Sequence, residues 1–215
     1  RTRMAIHGDR LGGWALDIPN SLCLFGDVVK GGDQPDTKEV RDLDTIGILR
    51  TAHEIKTKKM YPSGRKINDA PEFFIGGADT PFKIKNDFDG INLVKKIEAG
   101  AEFFQTQYVF EKDILKNYML KLNELNITDK AYFIIGLGVI KSAKSARWMN
   151  KNLFGINIPE EIINRIEQSN DESLEGIKIC IELIDEYKSI KGVSGIHLMG
   201  SKQEKEIASV ISNFK

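Results

Sequence analysis

Cysteine and histidine are scarce in this sequence, which has two cysteines and three histidines among 215 residues. Cys23 and Cys180 lie inside apolar runs, with no second cysteine or histidine at metal-binding spacing. This pattern excludes a disulfide framework, and the scattered histidines, without an acidic pair at suitable spacing, give no metal site. Unpaired cysteines are typical of a reducing compartment, so we expect a cytoplasmic protein.

The sequence also lacks an excess of charge of either sign and any long apolar run. Lys plus Arg and Asp plus Glu number 31 each, and no basic stripe is interleaved with aromatic residues. No stretch approaches the roughly 20 apolar residues that a membrane span requires, and no signal-like segment is present. We therefore expect neither a nucleic-acid partner nor a membrane partner.

Five short, mostly apolar runs alternate with longer helical patterns, and strands that are apolar on both faces suit a parallel sheet covered by helices. The predicted strands are Leu22–Phe25, Phe73–Ile75, Phe103–Gln107, Tyr132–Ile135 and Gly195–Leu198. The predicted helices are Met4–Leu16, Leu43–Ile55, Gly90–Ala99, Ile114–Leu125, Ser145–Leu153, Pro159–Glu167, Leu174–Tyr187 and Glu204–Phe214.

Repeated βα units make either an open doubly wound sheet or a closed barrel. Five units cannot close an eight-stranded barrel, so the barrel interpretation requires about three strands upstream of Arg1. Under it, residues 1–215 are the C-terminal part of a single barrel domain. Gly26–Val40 and Gly76–Lys85 are predicted loops at the carboxyl edge of the sheet, which carries the site in both architectures.

A carboxylate directly follows the first predicted strand, in Phe25-Gly26-Asp27. A glycine there lets a ligand or another backbone approach closely, and the aspartate is held by a rigid element. The pattern predicts either a functional carboxylate or an Asx-type turn.

A second candidate is the set Asp89, Asn92 and Lys96, whose spacing of three and four residues predicts one shared helix face. A polar ligand would meet a carboxylate, an amide and an ammonium group there. The alternative is a solvent-exposed face with local ion pairs.

Polar side chains also occur in the third and fifth predicted strands. Gln107 ends the third, and because an unpaired buried amide costs about 1 to 3 kcal/mol, a ligand is a plausible partner for it. His197 has a similar place in the fifth, where a hydrogen-bonded core histidine is more common than a catalytic one.

Taken together and in this order, these segments resemble the methylenetetrahydrofolate reductase family. Each is weak alone, but five in register are a strong signal. The matching stretches are Asn20–Asp27 with Gly32–Pro35, Phe73–Ala78, Lys95–Gln107, Ile158–Pro159 and Gly192–His197.

This resemblance implies an eight-stranded TIM barrel that holds a flavin, usually FAD with FMN as the alternative, at the carboxyl ends of the strands. Such enzymes pass a hydride from NADH or NADPH through the flavin to methylenetetrahydrofolate and form methyltetrahydrofolate, in one-carbon metabolism and methionine biosynthesis. We therefore expect a flavoprotein oxidoreductase with a folate substrate.

The resemblance also implies roles for individual residues. Asp27 matches the aspartate beneath the flavin pyrimidine, where its negative charge would lower the flavin potential. Gln107 matches the glutamine that reaches the folate. The residues implied to line the flavin or to hold its ribityl and phosphate groups are Phe25, Gly26, Ala78, Asp89, Asn92, Lys95 and Lys96.

Two differences from the family pattern are visible. Phe25 stands where the family usually has Thr or Arg, and the family's acidic catalyst belongs to a strand before Arg1. The alternative function is therefore a non-catalytic barrel subunit that docks to an electron-transfer partner. We expect a homo-oligomer or a complex of that kind.

Overall fold

A computed structural model describes residues 2–85 and 87–214. Strands and helices alternate along most of the chain, with three helices in succession between the last two strands. A short 3-10 helix, Val29–Gly31, lies in the loop after the first strand. The strands are β1 Asn20–Cys23, β2 Phe74–Asp79, β3 Phe103–Tyr108, β4 Tyr132–Leu137 and β5 Val193–Leu198. The helices are α1 Arg3–Ala15, α2 Thr45–Lys58, α3 Ile91–Glu98, α4 Lys112–Glu124, α5 Ala143–Asn152, α6 Glu160–Glu167, α7 Glu172–Lys188 and α8 Glu204–Ser212.

The five strands form one sheet in the order β1-β2-β3-β4-β5. β1 runs parallel to β2, with Cys23 opposite Gly77, and β4 runs parallel to β5, with Gly136 opposite His197. A doubly wound sheet reverses its strand order at a switch point, whereas a βα barrel adds its strands in sequence. The sequential order confirms the predicted α/β fold class and favours the barrel arrangement.

All predicted strands and helices are present, but several boundaries differ. β1 ends at Cys23, so Phe25 lies after the strand and not in it. β2 continues to Asp79, which makes the start of the predicted loop Gly76–Lys85 part of a strand. The prediction was wrong there because glycine has low strand propensity, and pairing with β1 through Gly76 and Gly77 outweighs it.

Internal contacts divide the chain into two compact units. The first unit contains the chain up to Ala78 together with Ile91–Phe104. The second contains Asp79–Gly90 together with the chain from Gln105 onward.

The core of the first unit forms where α2 packs against strand residues. Leu49, Ala52 and Ile55 of α2 are fully buried, as are Ile75 and Phe104. α2 begins after Asp44, whose side chain accepts a hydrogen bond from the Gly47 amide at 2.7 Å. This cap satisfies an amide that has no partner inside the helix and so fixes where α2 starts.

Hydrogen bonds of Glu102, the residue before β3, tie α2 to β2. Lys56 Nζ lies 2.8 and 2.9 Å from the two carboxylate oxygens of Glu102, and Glu102 Oε2 also accepts a hydrogen bond from the Ile75 amide at 3.0 Å.

Gly100, with φ of +109°, closes the turn after α3 as its sequence position predicts.

The core of the second unit is formed by α4, β4 and α7. Leu115 and Met119 of α4 and Phe133, Ile135 and Leu137 of β4 are completely buried. α7 passes so close to the backbone of residue 140 that a Cβ at Gly176 would lie 2.0 Å from the Ile140 carbonyl oxygen. Glycine is therefore needed at Gly176 for this helix to pack.

Gly76 and Gly195 allow a test of how tightly the strands are packed. A Cβ on Gly76 would lie 2.3 to 2.7 Å from three atoms of the Phe103 ring, which is itself stacked on Phe74. We expect Gly76→Ala to lower the free energy of unfolding by about 1 to 3 kcal/mol, because the buried ring must shift. Urea denaturation monitored by circular dichroism measures this change.

Gly195→Ala is the matched control. A Cβ at this strand glycine has no atom within 4 Å, so the variant should stay within about 0.5 kcal/mol of the wild type. Equal effects of the two substitutions would contradict the close packing at Gly76.

His7 generates a prediction about pH. It is 8% exposed, its Nε2 has no hydrogen-bond partner among the described residues, and burial lowers its pKa, with Arg3 and Arg10 lowering it further. The unfolded chain therefore binds a proton at His7 more readily than the folded chain does. The free energy of unfolding consequently falls as the pH drops below the unfolded pKa of about 6.5. We expect His7→Gln to lose less unfolding free energy than the wild type between about pH 7.5 and about pH 5.5. Urea titrations at the two pH values test this, and equal losses would contradict it.

Candidate functional site

The loop that follows β1 carries the first group of predicted site residues. Phe25, Gly26 and Asp27 are all exposed, and Gly26 has φ of +81°. The Arg41 guanidinium carbon lies 4.0 Å from the centre of the Phe25 ring, and Arg41 Nη2 donates a hydrogen bond to the Asp27 carbonyl oxygen at 3.1 Å. Arg41 also pairs with Glu39. One arginine therefore fixes the backbone on which Asp27 is presented to solvent.

A cavity of about 570 Å³ lies between α1 and β1 in the same unit. Phe25 and Arg41 contribute to its lining, whereas Gly26 and Asp27 do not. Arg10 is buried in its wall, where its guanidinium contacts Ser21 Oγ at 3.1 Å and Cys23 Sγ at 3.0 Å. Of the three predicted residues in this loop, Phe25 therefore lines the cavity, whereas Gly26 and Asp27 are exposed outside it.

Ala78 and Lys96 lie together at the carboxyl end of β2. Lys96 Nζ donates a hydrogen bond to the Ala78 carbonyl oxygen at 2.6 Å. The lysine chain passes Gly77, where a Cβ would lie 3.8 Å from Lys96 Cδ. The structure therefore brings together two of the residues predicted to hold the cofactor.

The remaining residues of the predicted helix face have different surroundings. α3 begins at Ile91, so Asp89 precedes the helix, and the prediction that it shares a helix face with Asn92 was wrong. Asn92 and Lys95 are exposed on α3, while Lys96 is half-buried. The helix therefore presents two cations, one free to reach solvent and one held against Ala78.

Gln107 lies near the end of β3, in the second unit, and is half-buried. Its Oε1 accepts a hydrogen bond from the Tyr108 amide at 2.9 Å, and its Nε2 donates to the Phe154 carbonyl oxygen at 3.5 Å. The amide is therefore satisfied by backbone groups, and its long bond to Phe154 is the weaker of the two.

Sequence reasoning missed Arg41 and the pair Asp79–Tyr118. The Asp79 carboxylate accepts hydrogen bonds from the Tyr118 hydroxyl at 2.9 and 3.1 Å, and burial, with the nearby Asp79 charge, raises the pKa of Tyr118 far above its ordinary value. Asp79 is the last residue of β2, and the signal used for Asp27, a carboxylate soon after an apolar run, could have found it. Arg41 gave no such signal, since 16 positions separate it from Phe25 in the sequence.

Within residues 2–85 and 87–214, no group of three or more His, Cys, Asp or Glu side chains could hold a metal ion. No helix there has both the length and the apolar character needed to cross a membrane.

Residues 3–215 match the model of the family described as methylenetetrahydrofolate reductase. The probable methylenetetrahydrofolate reductase (NADPH) of Caenorhabditis elegans is 26% identical over 93% of the chain, and methylenetetrahydrofolate reductase 2 of Schizosaccharomyces pombe is 23% identical over 91% of it. A solved structure from Clostridium thermocellum, of an uncharacterized protein that binds two copies of 5-methyl-5,6,7,8-tetrahydrofolic acid, has a TM-score of 0.47 and 22% identity. The match covers 66% of this chain and 52% of the Clostridium thermocellum chain.

The alignments cover 28% of the Caenorhabditis elegans protein and 31% of the Schizosaccharomyces pombe protein. The chain thus spans about a third of the length of these relatives. Because the family model matches nearly the whole chain, the resemblance seen in the sequence is confirmed. The chain belongs to the methylenetetrahydrofolate reductase family.

Proposed function

We propose that the protein carrying this chain reduces 5,10-methylenetetrahydrofolate to 5-methyltetrahydrofolate with a bound flavin, using NADH or NADPH as the electron donor. The observation that carries this proposal is the family match over residues 3–215. Residues 1–215 would then belong to a single barrel domain. A cytoplasmic location fits its two free, buried cysteines.

The donor set of the first unit fits a flavin nucleotide. Asn92 and Lys95 are exposed on α3, and Lys96 is held at the carboxyl end of β2 by its 2.6 Å hydrogen bond to Ala78. The ammonium groups of Lys95 and Lys96, one helical turn from the Asn92 amide, are suited to bind phosphate oxygens. Hydrogen bonds between such charged groups are stronger than those between neutral groups. FAD is the cofactor that we propose first, because the family resemblance implies it, with FMN as the alternative.

When bound, the flavin would supply hydride transfer between the nicotinamide and the folate. Asp27, exposed on a loop fixed by Arg41, would oppose build-up of negative charge on a ring beside it and so favour hydride donation. Gln107 would turn its amide from the long bond to Phe154 toward the folate, since that bond is weak. Gly26 and Ala78 would contact the flavin through backbone atoms.

A non-catalytic subunit that docks to an electron-transfer partner is the competing outcome. It predicts a purified complete protein that carries no flavin and gains none on incubation with FAD or FMN. A homo-oligomer with bound flavin and turnover would support the enzyme instead.

Asp27→Asn tests the electrostatic role of the carboxylate. Since the amide keeps the shape and removes the charge, we expect kcat for methylenetetrahydrofolate reduction to fall about tenfold or more. The midpoint potential of the bound flavin should rise, because an opposing charge is gone. Anaerobic kinetics and spectroelectrochemistry on the complete protein measure the two quantities.

Asp36→Asn is the control, because Asp36 is an exposed aspartate of the same loop with no predicted role. It should change neither quantity. Wild-type turnover and an unshifted potential in Asp27→Asn would remove Asp27 from the mechanism.

Lys96→Met tests the proposed phosphate contact. The variant keeps a long side chain but loses the cation, so we expect its dissociation constant for FAD to rise about tenfold, the effect of one charge-assisted hydrogen bond. Flavin fluorescence titration of the apoprotein measures affinity, and Lys96→Arg should retain most of it.

Lys116→Met on α4 is the control, since Lys116 is an exposed lysine with no predicted cofactor role. Equal FAD affinity in the wild type and in Lys96→Met would contradict the assignment. A rise for FAD but not for FMN would identify the diphosphate as the group contacted.

A further inference from the structure

His197 of β5 reaches past a neighbouring strand. Its ring nitrogen Nε2 lies 2.9 Å from the Thr106 carbonyl oxygen on β3, although β4 separates β5 from β3 in the sheet. A carbonyl oxygen only accepts, so Nε2 carries the proton in this contact. His197 is half-buried, and burial lowers its pKa, so the neutral ring is the form that makes this bond near neutral pH.

Gly136 makes this reach possible. It lies directly opposite His197 in the β4–β5 pairing. A Cβ at Gly136 would lie 2.5 Å from the Thr106 carbonyl oxygen and 2.7 Å from the Gln107 carbonyl oxygen. Any side chain there would therefore occupy the space through which the imidazole bonds to β3.

Thr106 connects the histidine to the glutamine. Its hydroxyl oxygen accepts a hydrogen bond from the Gly136 amide at 2.8 Å and donates its own proton to the Gln107 carbonyl oxygen at 2.8 Å. Thr106 is 3% exposed, so these bonds are shielded from water and costly to lose. The Thr106 carbonyl is thus held by His197 of β5, and the Gln107 carbonyl is held by the Thr106 hydroxyl within β3.

The orientation of Gln107 depends on that backbone. Its Oε1 is bound to the amide of the next residue, Tyr108, so a rotation of the peptide planes at 106 and 107 would move the side-chain amide with them. Hydrogen exchange at the Tyr108 amide therefore shows whether the Gln107 side chain keeps this position.

We propose that His197 is a positioning residue that holds Gln107 ready for the folate, acting through the carbonyl of Thr106. It touches neither substrate nor cofactor in this role. The inference rests on the proposed function of Gln107 and adds to it a residue, His197, that holds that glutamine in place.

The first experiment measures hydrogen–deuterium exchange of the complete protein without ligand, resolved at the Tyr108 amide. In His197→Ala we expect this amide to exchange about twofold to tenfold faster, the effect of weakening one hydrogen bond. His197→Gln retains an N–H donor at a similar reach and should restore slow exchange. Unchanged exchange in His197→Ala would overturn the proposal, whatever the protein's activity.

The second experiment is a double-mutant cycle on kcat/KM for methylenetetrahydrofolate. If His197 acts through Gln107, both His197→Ala and Gln107→Ala lower kcat/KM, and the double variant is no worse than Gln107→Ala alone. Losses that multiply would show that His197 acts independently and would overturn the proposal. His53→Ala, an exposed histidine on α2, is the control and should leave kcat/KM unchanged.

The two experiments separate the two ways of failing. Fast Tyr108 exchange in His197→Ala combined with wild-type kcat/KM in Gln107→Ala would mean that His197 holds a glutamine that the substrate does not use, which overturns the role of Gln107 and the inference that depends on it. A loss in Gln107→Ala with normal exchange and kcat/KM in His197→Ala would overturn the inference alone.

Discussion

A glycine inside β4 allows a side chain of β5 to reach β3. In the second unit, Gly136 lies opposite His197 and leaves room for the imidazole to bond to Thr106. In the first unit, a Cβ on Gly77 would lie 3.1 Å from the Phe104 ring, so that glycine makes room for an aromatic side chain of the core. Glycine weakens a strand, so each position gives up intrinsic stability. What Gly136 gains is an imidazole held near the carboxyl end of a strand, where the site of a βα barrel forms.

The existence and type of every strand and α-helix followed from the sequence, because apolar periodicity reports burial directly. The element ends did not follow, because they depend on single hydrogen bonds. α5 starts at Ala143 because the side chains of Ser142 and Ser145 each accept a hydrogen bond from the other's backbone amide, and α7 starts after Asp171 for a similar reason. The two predicted helices began two residues later, at Ser145 and Leu174, since capping residues add nothing to the apolar periodicity.

The sequence predicted which residues belong to the candidate site, but it did not predict the contacts that those residues make. Resemblance to a family assigned roles to Asp27, Lys96 and Gln107, but no spacing rule places a lysine ammonium against the carbonyl of residue 78 or folds a glutamine amide onto its own neighbour. These contacts depend on the path of the backbone at the strand ends. His197 shows the difference most clearly, because the sequence could describe it only as a histidine in a strand. Its bond across β4 becomes visible once Gly136 is known to lie opposite it.

Phe25 stands where the family resemblance implies Thr or Arg. The ring of Phe25 nevertheless lies under a guanidinium group, since Arg41 stacks on it at 4.0 Å and bonds to the Asp27 carbonyl. A cation over an aromatic face is held by the ring quadrupole, by about 0.5 to 1 kcal/mol at an exposed site. Arg41, a residue from the far end of the same loop, therefore places a positive charge on the Phe25 ring and beside the Asp27 backbone. The loop thus carries a positive charge near Asp27 although position 25 itself is uncharged.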